Sequence, residues 1–273
     1  MLAQAVDFRA EADALHALLV QLSDADWNRA TTFKSWTIND VVQHLHWADL
    51  MAASSVAGPE HFARFRADIK VLRDQGMSGV EATRRQLGDL TGQALCARWY
   101  TTMVDLCDKL SAMAPDTRLK WAGPDMGVKM FATARQMETW AHGQEVYDLL
   151  GVEREATERL RNIAEIGVRT YGWTFVNRGL ELPGPAPSVR LVGPGGAIWQ
   201  WHDHTPDNCV TGDAVAFCQV VTQVRNIADT NLTVIGAPAT AWMEIAQCFA
   251  GPPETPPAPG TRVPTSGTRV PKK

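Results

Sequence analysis

The sequence predicts a mainly helical α+β protein: an all-helical N-terminal part, then a smaller part mixing helices with short strands. Three observations carry this. Apolar residues recur at three- and four-residue spacing through most of the first 151 residues. The composition shifts at 152–157. Beyond it, Ser188-Val189-Arg190-Leu191-Val192 and Ala197-Ile198-Trp199-Gln200-Trp201 flank Gly193-Pro194-Gly195-Gly196, a strand–turn–strand pattern. With 273 residues, 45% of them hydrophobic, the chain can build a substantial core in one or two domains. We divide it at 1–151, 152–252 and 253–273.

The first helix is expected over 2–22, with Ala5, Phe8, Ala12, Leu15, Leu18, Leu19 and Leu22 as its buried stripe. His16 lies beside that stripe and reads as a packing residue. Trp27 then closes one end of the helical core. The second helix runs over about 37–55. Thr37 is its N-cap, Asp40 the capping-box partner, and Gly58-Pro59 the breaker. Residues 60–74 form a short amphipathic helix whose basic face is solvated, with a secondary reading as a lid. Ser78 caps a third long helix over 79–114, bent or interrupted near Gly88 or Gly92, and Pro115 ends it. A linker at 118–127 leads to the fourth long helix, 128–150, which Gly151 terminates.

In the second part a helix is expected over 158–180, followed by the proline-rich break 183–187 and the two strands already named. A third short strand falls at 208–211, a helix over about 212–225, an extended segment at 232–236 and a last helix over 238–250. From 252 the chain is rich in Pro, Thr and Gly and repeats Gly-Thr-Arg-Val-Pro. It buries too little apolar surface to fold and is expected to be a flexible tail.

A net charge of −4 gives no support for electrostatic nucleic-acid binding. No apolar run is long enough to span a bilayer, and no secretory signal is visible. The five cysteines, Cys96, Cys107, Cys209, Cys218 and Cys248, show no metal-ligand spacing. They read as buried, reduced thiols in a cytoplasm, with a Cys nucleophile as the lesser alternative.

One stretch carries chemistry. In Met137-Glu138-Thr139-Trp140-Ala141-His142, Glu138 and His142 are four residues apart on an expected helix and share a face. A carboxylate and an imidazole placed so suit two ligands of one metal ion, and equally a surface Glu–His pair. A third ligand has a candidate in Trp36-Thr37-Ile38-Asn39-Asp40-Val41-Val42-Gln43-His44-Leu45-His46. His44 follows Val41 by three residues and projects near the buried side of that helix. It is there as a ligand or as a hydrogen-bonded core histidine; His46, on another face, is the weaker choice.

The segment W-T-x-x-D-V-V-x-H-L, followed about a hundred residues later by E-x-x-x-H, resembles the DinB-like superfamily, in particular the branch containing mycothiol-dependent maleylpyruvate isomerase and its metal-binding relatives. The resemblance extends to G-D-A-V-A-F-C-Q-V-V-T-Q at 212–223 and A-D-T-N-L at 228–232. It implies a four-helix bundle holding a divalent metal, most often Zn2+, on His44, Glu138 and His142, with an α+β C-terminal domain. It also implies a low-molecular-weight thiol such as mycothiol as cofactor, a small-molecule substrate, and a monomer or homodimer. A C-terminal-domain arginine that binds anionic substrate falls near Arg225, whose other reading is a cation at a helix C-terminus. Gln144 is a candidate partner behind the ligands. His202-Asp203-His204 reads as a polar hairpin end, or as lining of the pocket.

Two imidazoles and a carboxylate leave a coordination position open. The main expectation is a divalent-metal-dependent, thiol-dependent isomerase or transferase acting on a small organic electrophile. The alternatives are a metal-dependent hydrolase or lyase using bound water, and a metal-containing binding protein without catalysis.

Overall fold

The computed structural model describes residues 1–88 and 90–262. The chain forms two compact units that divide between Val146 and Tyr147.

The first unit is helical. Helix α1 spans Ala3–Leu19 and buries Ala5, Phe8, Ala12, Leu15 and Leu19 at three- and four-residue spacing. Helix α2 spans Ile38–Ala57 behind a complete capping box: Asp40 donates its backbone N–H to Thr37 Oγ1 at 3.2 Å, and its carboxylate accepts from the Thr37 N–H at 2.9 Å. Such a cap contributes roughly 1 kcal/mol. Helix α3, Pro59–Asp74, and helix α4, Gly79–Gln86, cross back over α2. The carboxylate of Asp40 also accepts from Arg84 Nε at 3.1 Å, fastening α4 to the start of α2. Helix α5, Gly92–Ser111, presents Leu95, Trp99, Met103, Leu106 and Leu110 to the core and packs on α1 and α2. A two-residue antiparallel ribbon, β1 Arg118–Leu119 with β2 Met126–Gly127, leads into α6, Val128–Leu150.

Helix α6 meets α2 twice. Arg135 reaches Asp49, and Glu138 reaches His44. Rising numbers on α6 meet falling numbers on α2, so the two helices run antiparallel past each other.

The second unit opens with helices α7, Leu160–Arg169, and α8, Tyr171–Val176. Its sheet has the order β4-β3-β5-β6, with β3 Ser188–Val192, β4 Ile198–Trp201, β5 Cys209–Asp213 and β6 Thr233–Ile235. β3 pairs antiparallel with β4 and parallel with β5, and β5 pairs antiparallel with β6. Helix α9, Ala214–Val221, starts at Asp213, whose carboxylate accepts from the Ala216 N–H at 3.0 Å. It packs against α7 where Gly167 leaves no room for a side chain: a Cβ there would stand 2.8 Å from Val221 Cγ2. Helix α10, Ala237–Ile245, completes the unit and buries Trp242 and Met243.

Several expectations change. The third long helix is two, α4 and α5, because Gly88 and Gly92 adopt φ of 71° and 59°, outside the helical region. The linker at 118–127 contains the β1–β2 ribbon. The helix expected over 158–180 breaks at Thr170 and ends at Val176. The tail does not begin at 253. Glu254 donates its N–H to Gln247 and accepts from Gln223 and Arg178, Pro257 accepts from Asn226, and the Gly260 N–H reaches Asp229. Backbone hydrogen bonds to buried polar side chains hold this segment where apolar content does not. The rest of the expected tail, 263–273, lies outside the described residues.

Candidate metal centre

His44, Glu138 and His142 come together in the first unit. His44 Nε2 lies 3.4 Å and His142 Nε2 3.5 Å from Glu138 Oε2, and the three ligand atoms all lie within 4.8 Å of one another. These separations are long for charge-assisted hydrogen bonds, which close to about 2.7–2.9 Å. They suit the edges of a tetrahedron around one ion: bonds of about 2.0–2.1 Å put neighbouring ligand atoms roughly 3.3 Å apart. The side chains are 31%, 21% and 12% exposed in chain order, so the cluster is half-buried and open on one side. The donor set, two imidazoles and one carboxylate, fits zinc.

Electrostatics prepare the same result. Burial, followed by the nearby charge of His142, holds the His44 imidazole below its ordinary pKa. Burial disfavours the Glu138 carboxylate, but the two imidazoles outweigh it and hold its pKa well below the usual range. Burial also opposes charge on His142, yet Glu145 and Glu138 push its pKa up to about 9. Positive charge is thus favoured at His142, which faces Glu138 and Glu145, and disfavoured at His44.

A loop walls the site. Residues 29–37 fold back on themselves through an Ala30–Thr37 bridge, with the Thr31 N–H donating to Trp36 O at 2.7 Å and the Trp36 N–H to Phe33 O at 2.8 Å. At its tip Lys34 and Ser35 adopt φ of 49° and 56°, a left-handed conformation that costs side-chain-bearing residues of order 1 kcal/mol each. The turn brings both its aromatic rings to the ligands. Trp36 stacks on His142 with centroids 5.7 Å apart and planes 16° apart, and lies 5.3 Å from His44; Phe33 meets His142 edge-on at 5.3 Å.

Behind the site sits a closed pair. Arg135 Nε donates to Asp49 Oδ1 at 2.9 Å and Trp99 Nε1 to Asp49 Oδ2 at 3.0 Å, with the two charged side chains 1% and 0% exposed. His46 is buried, and that burial, with the charge of Arg98, lowers its pKa to about 4; it has no part in the cluster.

Arg225 belongs to the second unit and is buried. Its Nη1 lies 2.7 Å and its Nη2 2.8 Å from the two carboxylate oxygens of Asp148, a bidentate pair, and Nη1 also donates to Val224 O. His202, Asp203 and His204 are exposed, beside an open basin lined by Ala186, Gln200 and Thr205. Among the described residues they form no metal-ligating group. All five cysteines are buried, and none is disulfide-bonded.

Residues 8–147 match the family model of the mycothiol maleylpyruvate isomerase N-terminal domain, a span that includes His44, Glu138 and His142. The chain belongs to this family. Two relatives, both uncharacterised proteins of Mycobacterium tuberculosis, from strains CDC 1551/Oshkosh and H37Rv, are each 38% identical over 248 residues, 90% of this chain and 95% of theirs. Family likeness persists in structure beyond what sequence retains. The crystal structure of a histidine-to-alanine mutant of mycothiol-dependent maleylpyruvate isomerase superposes with a TM-score of 0.50 at 12% identity, over 80% of this chain and 87% of that one. At that identity the likeness speaks to the fold, a mainly helical α+β protein with a helical N-terminal domain.

Sequence reasoning reached the trio and, favouring Gln144 among its neighbours on the helix, gave no site role to Phe33, Trp36, Arg135 or the adjoining Glu145. A signal for the last two was present. Phe131, Arg135, Glu138, His142, Glu145 and Leu149 follow a 4-3-4-3-4 spacing, one stripe of a helix whose middle is ionisable where a core would be apolar.

Proposed function

We propose that this protein is a divalent-metal enzyme, with zinc on His44, Glu138 and His142, and that it works with a low-molecular-weight thiol to isomerise, or transfer the thiol to, a small organic electrophile. The observation that carries the reading is the convergence of three donor atoms within 4.8 Å of one another, the two imidazole–carboxylate separations, 3.4 and 3.5 Å, being suited to one tetrahedral ion. The thiol and the reaction class rest on the family and on the name of the structural relative, a mycothiol-dependent isomerase.

Bound there, a zinc ion would supply Lewis acidity and favour the thiolate form of a thiol. The protein's own residues do the rest. His44 and His142 present Nε2 toward Glu138, while Trp36 and Phe33 cover the imidazole rings and keep water from that side. The open side, where His44 is most exposed, leaves room for substrate. Neither a thiol of the protein nor a spanning helix enters: every cysteine is buried, and no described helix is long and apolar enough to cross a membrane.

Arg225 enters as the anion-binding residue. Its guanidinium fork already grips a carboxylate, the group a small organic acid would offer in place of Asp148. Arg225→Lys keeps the charge and loses the fork. A raised KM for an anionic substrate supports substrate binding; a loss confined to stability assigns Arg225 to the ion pair alone.

The test is elemental analysis of the purified protein beside His142→Ala, then turnover of unsaturated acids with and without added thiols. About one equivalent of zinc, lost in the variant, and thiol-dependent turnover are the expected results. Full occupancy in the variant would overturn the ligand set. Turnover without thiol would turn the reading to a hydrolase or lyase, and metal with tight ligand binding but no turnover to a binding protein.

A further inference from the structure

Glu145 sits one helical step beyond the ligand pair and is nearly out of solvent, its side chain 6% exposed. A buried carboxylate costs several kcal/mol unless something compensates it. One group that faces it is an imidazole: Glu145 Oε1 lies at an ion-pair distance of 3.3 Å from Nδ1 of His142, the ring nitrogen other than the one that faces Glu138. Helical spacing brings this about. Glu145 follows His142 by three residues and so shares its face of α6, whereas Gln144, two residues on, is turned away around the helix. The side chain that reaches His142 from behind is therefore Glu145, one position after the Gln144 that sequence reasoning favoured.

We propose that Glu145 is a positioning residue for the metal centre, fixing which nitrogen of His142 is free to act as a ligand. The inference rests on the metal reading given above. An imidazole has two nitrogens, and the one that carries a proton cannot bind a metal. With Nε2 given to a metal, a carboxylate 3.3 Å from Nδ1 favours the remaining proton on that nitrogen and keeps the Nε2 lone pair directed at the point shared with His44 and Glu138. Trp36 completes the restraint: stacked at 16° to the imidazole plane, it limits the ring's swing while Glu145 limits its flip. Glu145 is outside the group of residues whose ligand atoms lie within 4.8 Å of one another, so its place is behind the ligand and not among the ligands. Among the described residues Glu138 is the carboxylate that meets His44, so the two imidazoles are held unequally. His142 is the fixed ligand and His44, 31% exposed, the adjustable one.

The experiment measures zinc binding to the metal-free full-length protein by competition with a chromophoric chelator, for wild type, Glu145→Gln and Glu145→Asp. Visible spectra of the cobalt-substituted proteins and melting temperatures of the metal-free forms are recorded alongside. Glu145→Gln is expected to weaken zinc binding about 10–100-fold, the range for losing such an outer partner, with an altered cobalt spectrum and a nearly unchanged metal-free melting temperature. Glu145→Asp should recover part of the loss. Wild-type affinity and spectrum in Glu145→Gln overturn the proposal. Should Glu145→Gln not fold, the cobalt spectrum of Glu145→Asp decides: a shifted spectrum supports the role, an unchanged one overturns it. A wild type that takes up no zinc overturns the metal reading itself, and this inference with it, whereas zinc bound equally by all three forms overturns this inference alone.

Discussion

Helices α2 and α6 make two polar contacts, and they are built in opposite ways. Between Asp49 and Arg135 the atoms close to 2.9 Å, Trp99 occupies the second carboxylate oxygen, and solvent is shut out. Between His44 and Glu138 the gap is 3.4 Å, a second imidazole stands 3.5 Å from the same oxygen, and a third of the His44 side chain is exposed. The first pair matches its two charges internally, leaving Arg135 Nη2 as a buried donor without a hydrogen bond among the described residues. The second keeps lone pairs directed at a common point. Burial, separation and convergence all tell them apart. The Arg225–Asp148 pair of the second unit is bidentate and buried like the first, so the anion-binding role proposed for Arg225 requires a substrate carboxylate to replace Asp148.

The largest expected effect is on the closed pair. Asp49→Ala strands the Arg135 guanidinium in the core and should cost about 3–5 kcal/mol of unfolding free energy in urea titration. A loss under about 1 kcal/mol would show that the pair is not load-carrying and would erase the contrast. Next comes the open site. His44→Ala, Glu138→Ala and His142→Ala should each lower zinc affinity at least roughly 100-fold, about 2.7 kcal/mol, beyond what an outer partner contributes. Metal-free stability should hardly change; if it fell as in Asp49→Ala, the trio would be a structural network like its neighbour.

A smaller effect is expected at the wall. Trp36→Leu removes the ring stacked on His142 and should reduce metal-free stability by about 1 kcal/mol, read by the same titration. The smallest is a null result on the closed side. Cys96 and Cys107 share α5 with Trp99, and burial pushes the Cys96 thiol up to about 11 and the Cys107 thiol higher still. Thiolate is the reactive form, so at pH 8 neither should react with an alkylating agent until the protein unfolds, as mass spectrometry would show. Rapid native labelling of either would mean that the region around Asp49 opens to solvent.

How much of this was legible in the chain differs by element. The capping box at Thr37 and Asp40, the apolar stripe of α1 and the strand–turn–strand at 188–201 are local patterns, and each formed as read. The break between α4 and α5 was foreshadowed by Gly88 and Gly92. Helix ends at 176 and 245 were overestimated, because apolar spacing continues past the point where tertiary packing stops the helix. The segment after 253 was misread for a related reason: composition counts apolar surface, while Gln223, Gln247 and Asn226 hold that segment by its backbone.

The sequence by itself determined the mainly helical α+β class, the absence of a long apolar span, and the pairing of Glu138 with His142, since these follow from short periodicities that the backbone imposes. Only the tertiary structure decided that His44 reaches them across 94 positions, that Trp36 and Phe33 turn onto the imidazoles, that Asp49 consumes Arg135, and that Arg225 faces Asp148. The physical reason is one of range. A helix fixes which residues share a face, but which faces meet, and whether a buried charge finds its partner or is left directed at a ligand, depends on how separate helices pack.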